Sequence, residues 1–324
     1  MWKRFAHRNL VLVLALIIAA LVTIETSTPG NSTEPLDVVA TTSMIADTVS
    51  QIGGSLVKVK ALIGPGLDPH SYRQTRSDII SLSRADLILW HGLHLEAQLE
   101  EFLKRLTRKK TVVAVAEHLP KELLLSHDDY NEKFDPHVWM HPSLWSRIVI
   151  IIRDTLIKVL PQEEIFFRDK TDKYLTKLDQ LSIYSRRVLS SIAPEKRILL
   201  SAHDAFNYFG KAYNFQVIGI QGVSTESEAG LKRISDLANF IAKRKISAVF
   251  VESSMSDRNI RALIEGAAAQ GHNVIIGGKL FSDAMGENGS YEGSYIGMID
   301  HNVTKITRAL GGQAPIKGMS NKLS

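Results

Sequence analysis

Four short segments of the chain carry side chains suited to gripping a cation. Asp68-Pro69-His70 follows a Gly64-Pro65-Gly66 turn, and Asp135-Pro136-His137 stands directly before Val138-Trp139. Further along come Ser201-Ala202-His203-Asp204 and Phe281-Ser282-Asp283-Ala284-Met285-Gly286. Imidazole is the commonest nitrogen ligand near neutral pH, and one carboxylate added to three imidazoles offsets half of a divalent charge. The set His70, His137, His203 and Asp283 therefore suits zinc or manganese. Proline before His70 and His137 stiffens the backbone and lowers the entropy lost when a ring is fixed on an ion. Spacing alone leaves a plainer reading open, because a lone loop histidine is usually solvated or hydrogen-bonded and no H-E-x-x-H motif is present. His137 and His141 have H-x-x-x-H spacing, but Pro142 biases His141 away from helix, which favours a surface or supporting role for it.

The elements that must position these residues alternate. Short β-branched or apolar runs at Asp37–Thr41, Val57–Ile63, Ala85–Trp90 and Thr111–Val115 are separated by helical patterns. A second set follows at Arg197–Ser201, Phe215–Ile220, Ala248–Glu252 and His272–Ile276. Alternation of this kind predicts an α/β fold with two parallel sheets of about four strands each, and in such sheets ligands bind at the carboxyl ends of the strands. Between the sets, roughly Gln162 to Ile192 reads as one long helix bracketed by Pro161 and Pro194. The expected organisation is a leader over 1–31, an N-terminal metal-binding lobe over 35–160, a linking helix over 161–193 and a C-terminal metal-binding lobe over 194–324.

Composition removes several alternatives. The 324 residues are 44% hydrophobic and contain no cysteine, which excludes disorder, disulfides, thiolate nucleophiles and Cys-zinc sites. The same count leads to the expectation that the protein is not a lipoprotein. The net charge of +5 owes three units to Lys3, Arg4 and Arg8, so no nucleic-acid partner is expected. The basic run Lys104, Arg105, Arg108, Lys109 and Lys110 reads as a solvated helix end. A basic head followed by the charge-free stretch Leu10–Ile24 reads as an export signal or an uncleaved membrane anchor, which places the body in the periplasm or otherwise outside the cytoplasm.

From about Leu36 to Gly312 the sequence resembles the metal-binding solute receptors of ABC importers, of the TroA type. The resemblance is carried by Thr41-Thr42-Ser43-Met44-Ile45-Ala46-Asp47, Gly64-Pro65-Gly66-Leu67-Asp68-Pro69-His70, Gly92-Leu93-His94-Leu95-Glu96, Phe134-Asp135-Pro136-His137-Val138-Trp139, Ala202-His203-Asp204-Ala205-Phe206, Gln221-Gly222-Val223-Ser224 and Phe281-Ser282-Asp283-Ala284-Met285-Gly286. It implies two (β/α)4 lobes joined by one long backbone helix, with a divalent ion in the cleft on His70, His137, His203 and Asp283. It also implies a monomeric receptor that captures zinc, manganese or iron and delivers it to a permease in the inner membrane, without enzymatic activity. Strongly zinc-selective members carry a His-rich loop, whereas Glu117–Phe134 holds only His118 and His127. Manganese-dedicated members often place Glu at the position of His203, so this histidine leans toward zinc.

The remaining candidates follow from coordination chemistry. Asp68, Asp135, Asp204 and Glu252 are placed to accept the second N–H of a metal-bound imidazole. His91 and His94 read as locally hydrogen-bonded, and His272 and His301 as structural or exposed. Because coordinating histidines must be neutral, metal affinity is expected to fall below about pH 6.5. Two other functions use the same residue types: a surface adhesin that retains the fold, and an extracytoplasmic zinc hydrolase with Asp204 or Glu252 as general base, which needs an open coordination position.

Overall fold

The computed structural model describes residues 34–126 and 133–324. The expected leader over 1–31 and His127 lie outside the described residues.

Residues Pro35–Ser324 form one compact unit. Its first half is a four-stranded parallel sheet of β1 (Leu36–Thr42), β2 (Val57–Ile63), β3 (Leu87–Trp90) and β4 (Thr111–Ala114), in the order β2-β1-β3-β4. Helices α1 (Ser43–Gly53), α2 (Arg76–Arg84) and α3 (Glu100–Leu106) provide the crossovers. A capping box opens α2: the Thr75 hydroxyl accepts from the Asp78 backbone N–H while the Asp78 carboxylate accepts from that of Thr75. The basic run after Leu103 is tied locally, with Lys104 on Glu100, Arg105 on Glu101 and the Lys110 ammonium donating to the Ala85 carbonyl.

The second half repeats the pattern with β5 (Ile198–His203), β6 (Gln216–Gln221), β7 (Ala248–Glu252) and β8 (Ile275–Leu280), and with α6 (Asn207–Tyr213), α7 (Leu231–Arg244), α8 (Arg258–Ala268) and α9 (Tyr295–Ala309). Here the backbone ladders form two pairs, β5 with β6 and β7 with β8, and β5 packs beside β7. The resulting spatial order, β6-β5-β7-β8, copies that of the first half. The sequence pattern placed the last strand at His272–Ile276, about three residues early. Gly277 and Gly278 lie inside β8, where the register shifts opposite Val249 and Phe250.

Between the halves run α4 (Pro142–Val159) and α5 (Glu164–Leu189). Proline starts α4 at its first turn, where no backbone donor is lost. At 26 residues α5 is about 39 Å long. Its buried positions Phe167, Thr171, Tyr174, Leu178, Leu181, Ser185 and Val188 alternate steps of four and three, which keeps one stripe against the core. Along this stripe Tyr174 donates to Asp47 in α1, and the hydroxyls of Tyr184 and Thr304 of α9 meet at 2.9 Å, so the helix is bonded to both halves. The largest apolar cluster is continuous from Val38 and Ile45 through Trp145 and Leu178 to Phe250 and Val303. That cluster joins the halves, and each half also has a smaller one of its own, around Leu82 and Leu103 in the first and around Ile241 and Leu263 in the second.

Candidate metal centre

Each of the four side chains singled out by residue type arrives from a different loop or strand end. His203 is the last residue of β5, Asp283 lies three residues beyond β8, and His70 lies seven residues beyond β2. His137 stands immediately before a 3-10 turn over Val138–Met140. All four are buried, and one donor atom from each lies within 4.8 Å of the others. Nε2 of His137 sits at the hub: it is 3.3 Å from Nε2 of His70, 3.3 Å from Nε2 of His203 and 3.4 Å from Oδ1 of Asp283. Nε2 of His203 is 3.2 Å from the second oxygen of Asp283.

These spacings have a simple geometric meaning. Ligands held about 2.0–2.1 Å from a zinc ion at tetrahedral corners stand about 3.3–3.4 Å apart, because the tetrahedral edge is about 1.63 times the centre-to-corner distance. The carboxylate oxygens of Asp283 are both buried, and what they face is the two imidazoles of His137 and His203 rather than a hydrogen bond of ordinary geometry. A buried carboxylate in that condition is costly unless a cation or protonated group faces it.

Supporting contacts aim the rings. The Nδ1–H of His137 donates to Asp135 Oδ1 at 2.7 Å, and the same oxygen accepts the His137 backbone N–H. Asn207 donates to the other Asp135 oxygen and Tyr208 to the Asp135 carbonyl. Glu252, at the end of β7, repeats the arrangement for His203, accepting from Nδ1 at 2.6 Å and from the backbone N–H at 3.0 Å. In both cases the carboxylate fixes the tautomer that leaves Nε2 free to coordinate. Asp68 acts one step removed, accepting the backbone N–H of His70. The Asp204 carboxylate accepts from the Gly219 N–H and so ties β5 to β6. Replacing Asp135 with Asn is expected to weaken zinc binding about ten- to a hundredfold without unfolding the protein, measured by competition against a chelating dye, the usual cost of losing such a partner.

The other histidines fall elsewhere. His91 is buried with Nε2 2.6 Å from the Pro136 carbonyl and its ring edge-on to Trp139, so it props the segment that carries His137. His94 pairs with Glu100. His141 caps the start of α4 through its carbonyl, which accepts from Leu144 and Trp145, and it takes no part in the cluster. Sequence reasoning assigned no role to Glu96. This buried carboxylate accepts from Thr41 Oγ1 and from the backbone N–H groups of His91 and Gly92, and burial raises its pKa to about 7. The left-handed backbone at Gly92, Leu93 and His94 turns the chain after β3 so that these amides face Glu96.

Protonation differs sharply across the cluster. Burial lowers His70 to about 3, so its ring is neutral. Burial also opposes charge on His137, but Asp135 and Asp283 outweigh it and raise that pKa to about 9. His203 is raised well above the ordinary value because Asp283 and Glu252 overcome the same burial cost. Asp283 is held well below the usual carboxylate range; burial opposes this, and the His203 and His137 rings outweigh it.

Residues 38–309 match the family model described as "ZnuA: Zinc-uptake complex component A periplasmic". The manganese-binding lipoprotein MntA of Bacillus subtilis is 45% identical over 286 residues, covering 88% of this chain and 93% of that protein. The zinc-binding protein TroA of Treponema pallidum is 47% identical over 273 residues, covering 84% and 88% respectively. The solved structure of that periplasmic zinc-binding protein superposes with a TM-score of 0.83 at 46% identity, over 85% of this chain and 99% of the other. A third relative, the manganese ABC transporter substrate-binding lipoprotein PsaA of Streptococcus anginosus, is 31% identical over 307 residues, 92% of this chain and 97% of the relative. These names correct the expectation that the protein is not a lipoprotein. That expectation rested on cysteine count alone, whereas MntA and PsaA are both named lipoproteins. Fold, converging donors and family match agree, and the chain belongs to the zinc-uptake component A family of metal-binding solute receptors of ABC importers.

Proposed function

We propose that the protein binds one divalent transition-metal ion on His70, His137, His203 and Asp283 and surrenders it to an ABC permease. The observation that carries this reading is the set of tetrahedral-edge spacings around His137, combined with a buried Asp283 carboxylate that faces the His137 and His203 rings. Three nitrogens and one carboxylate favour zinc over manganese by intrinsic affinity, and the relatives named for each metal put both within the range of this fold. Two ligands from each half make the ion a clasp between the lobes 35–160 and 194–324, with the helical stretch 161–193 limiting how far they part. Release then needs a partner that pulls the donor set apart. Four protein donors leave no position for an activated water, which argues for carriage of the ion and against hydrolysis.

The direct test is titration of metal-stripped protein with zinc and manganese separately, reading stoichiometry and thermal unfolding. One ion per chain is expected, with zinc at about a thousandfold above its dissociation constant adding about 4 kcal/mol of stability. Absence of any stabilisation by either ion would remove the metal-receptor reading.

A further inference from the structure

The four donors are sealed from solvent: His137 and His203 are 0% exposed, His70 and Asp283 1%. An ion reaching them must pass through another part of the protein. A cavity of about 710 Å³ opens at the carboxyl ends of β5, β6 and β7. Its wall includes Ala202, which precedes His203, and Asp68, whose carboxylate holds the backbone of His70. The same wall carries Gln221, the last residue of β6 and only 5% exposed. The Gln221 amide nitrogen donates to Glu228 at 2.9 Å, which fixes the orientation of the amide, and its oxygen is buried with no partner among the described residues. Thr225 Oγ1 donates to Asp68 at 2.6 Å, joining the loop after β6 to the loop that carries His70.

We propose that this cavity is an antechamber in which an incoming hydrated divalent cation is held by Asp68, Glu228 and the Gln221 oxygen before it loses water and moves to the imidazoles. The inference rests on the metal-receptor reading above. Oxygen donors suit a cation that still carries its water, whereas nitrogen donors suit the stripped ion, so the two sites divide the work of dehydration. The chain carries a net charge of +5 and does not draw cations as a whole. Two carboxylates against the single basic lining residue, Arg258, make this wall locally attractive. The Asp68–Thr225 hydrogen bond is the latch between the two compartments.

The experiment is stopped-flow zinc association and chelator-driven dissociation on the full chain, comparing wild type with Glu228→Gln and Gln221→Leu. A way-station lies on the path in both directions, so removing it is expected to lower association and dissociation together, each about five- to tenfold, with Kd unchanged within about twofold. The slowing should persist at high ionic strength, which separates local contact from long-range steering. Association equal to wild type, a change in Kd carried by dissociation alone, or a difference that vanishes in salt would each overturn the antechamber. Glu228 is exposed, so its isosteric variant carries the test should Gln221→Leu fail to fold. If wild-type protein takes up zinc in equimolar amount and only the variant rates fail to move, the antechamber falls and the receptor stands; if wild type takes up none, both fall.

Discussion

Replacing His137 with alanine is expected to weaken zinc binding about a hundred- to a thousandfold. Four-ligand zinc sites are worth about 10–16 kcal/mol, roughly 2.5–4 kcal/mol per ligand, which corresponds to factors of that size. His137 is the severest single choice because its Nε2 neighbours the donor atoms of all three other residues. Its removal also strands the buried Asp135 carboxylate without its ring partner. Isothermal titration against wild type and His141→Ala is the measurement, with circular dichroism to establish that the variants fold. His141 lies outside the cluster, so its variant should bind as wild type does. A His137→Ala protein within fivefold of wild type would refute the ligand assignment.

The second large effect is on pH. With no ion bound, His137 and His203 both have raised pKa values, about 9 for His137, and so carry protons at neutral pH. A divalent ion replaces these two protons, and the charge facing Asp135, Glu252 and Asp283 stays the same through the exchange. Binding therefore releases up to two protons per ion, and Kd should rise by one to two decades for each unit of acidification below about pH 9. From pH 8 to pH 6 the expected loss is between about a hundredfold and about ten-thousandfold. The sequence alone placed the onset near pH 6.5, the value of an unperturbed imidazole. The carboxylates buried beside the rings move it upward. Calorimetry in buffers of different ionisation enthalpy counts the protons directly, and a count of zero at pH 7.5 would contradict the exchange.

Val57–Ile63 and Ala248–Glu252 were legible to the residue, because β-branched runs between turn signals have no competing helical period. The four side chains that converge were legible because Asp-Pro-His and the segments around His203 and Asp283 are unusual chemistry placed at or near strand ends. The helix expected from Gln162 to Ile192 is shorter at both ends, Glu164–Leu189, since Pro161–Glu163 winds as a 3-10 turn and the chain leaves the helix well before Pro194. What stayed hidden is long-range. Nothing in the local sequence distinguishes Asp135 and Glu252, which aim rings, from Asp204, which ties β5 to β6, because all three sit at a strand end or beside a histidine. Glu96 was hidden in part for the same reason: His91 and Gly92 lie on its own loop, but Thr41 meets it only once β1 and β3 are side by side.

Trp139 gives the molecule a built-in optical reporter. Its buried indole lies 5.1 Å from the His137 ring, and its N–H donates to the carbonyl of Ser282, the residue before Asp283. A protonated imidazole at that range quenches indole emission, and a closed-shell ion that expels the proton lifts the quenching. Zinc should thus brighten the protein as it loads, whereas an open-shell manganese or iron ion at the same place should dim it. The direction of the change in tryptophan emission on loading would then tell which cargo is aboard without any added dye.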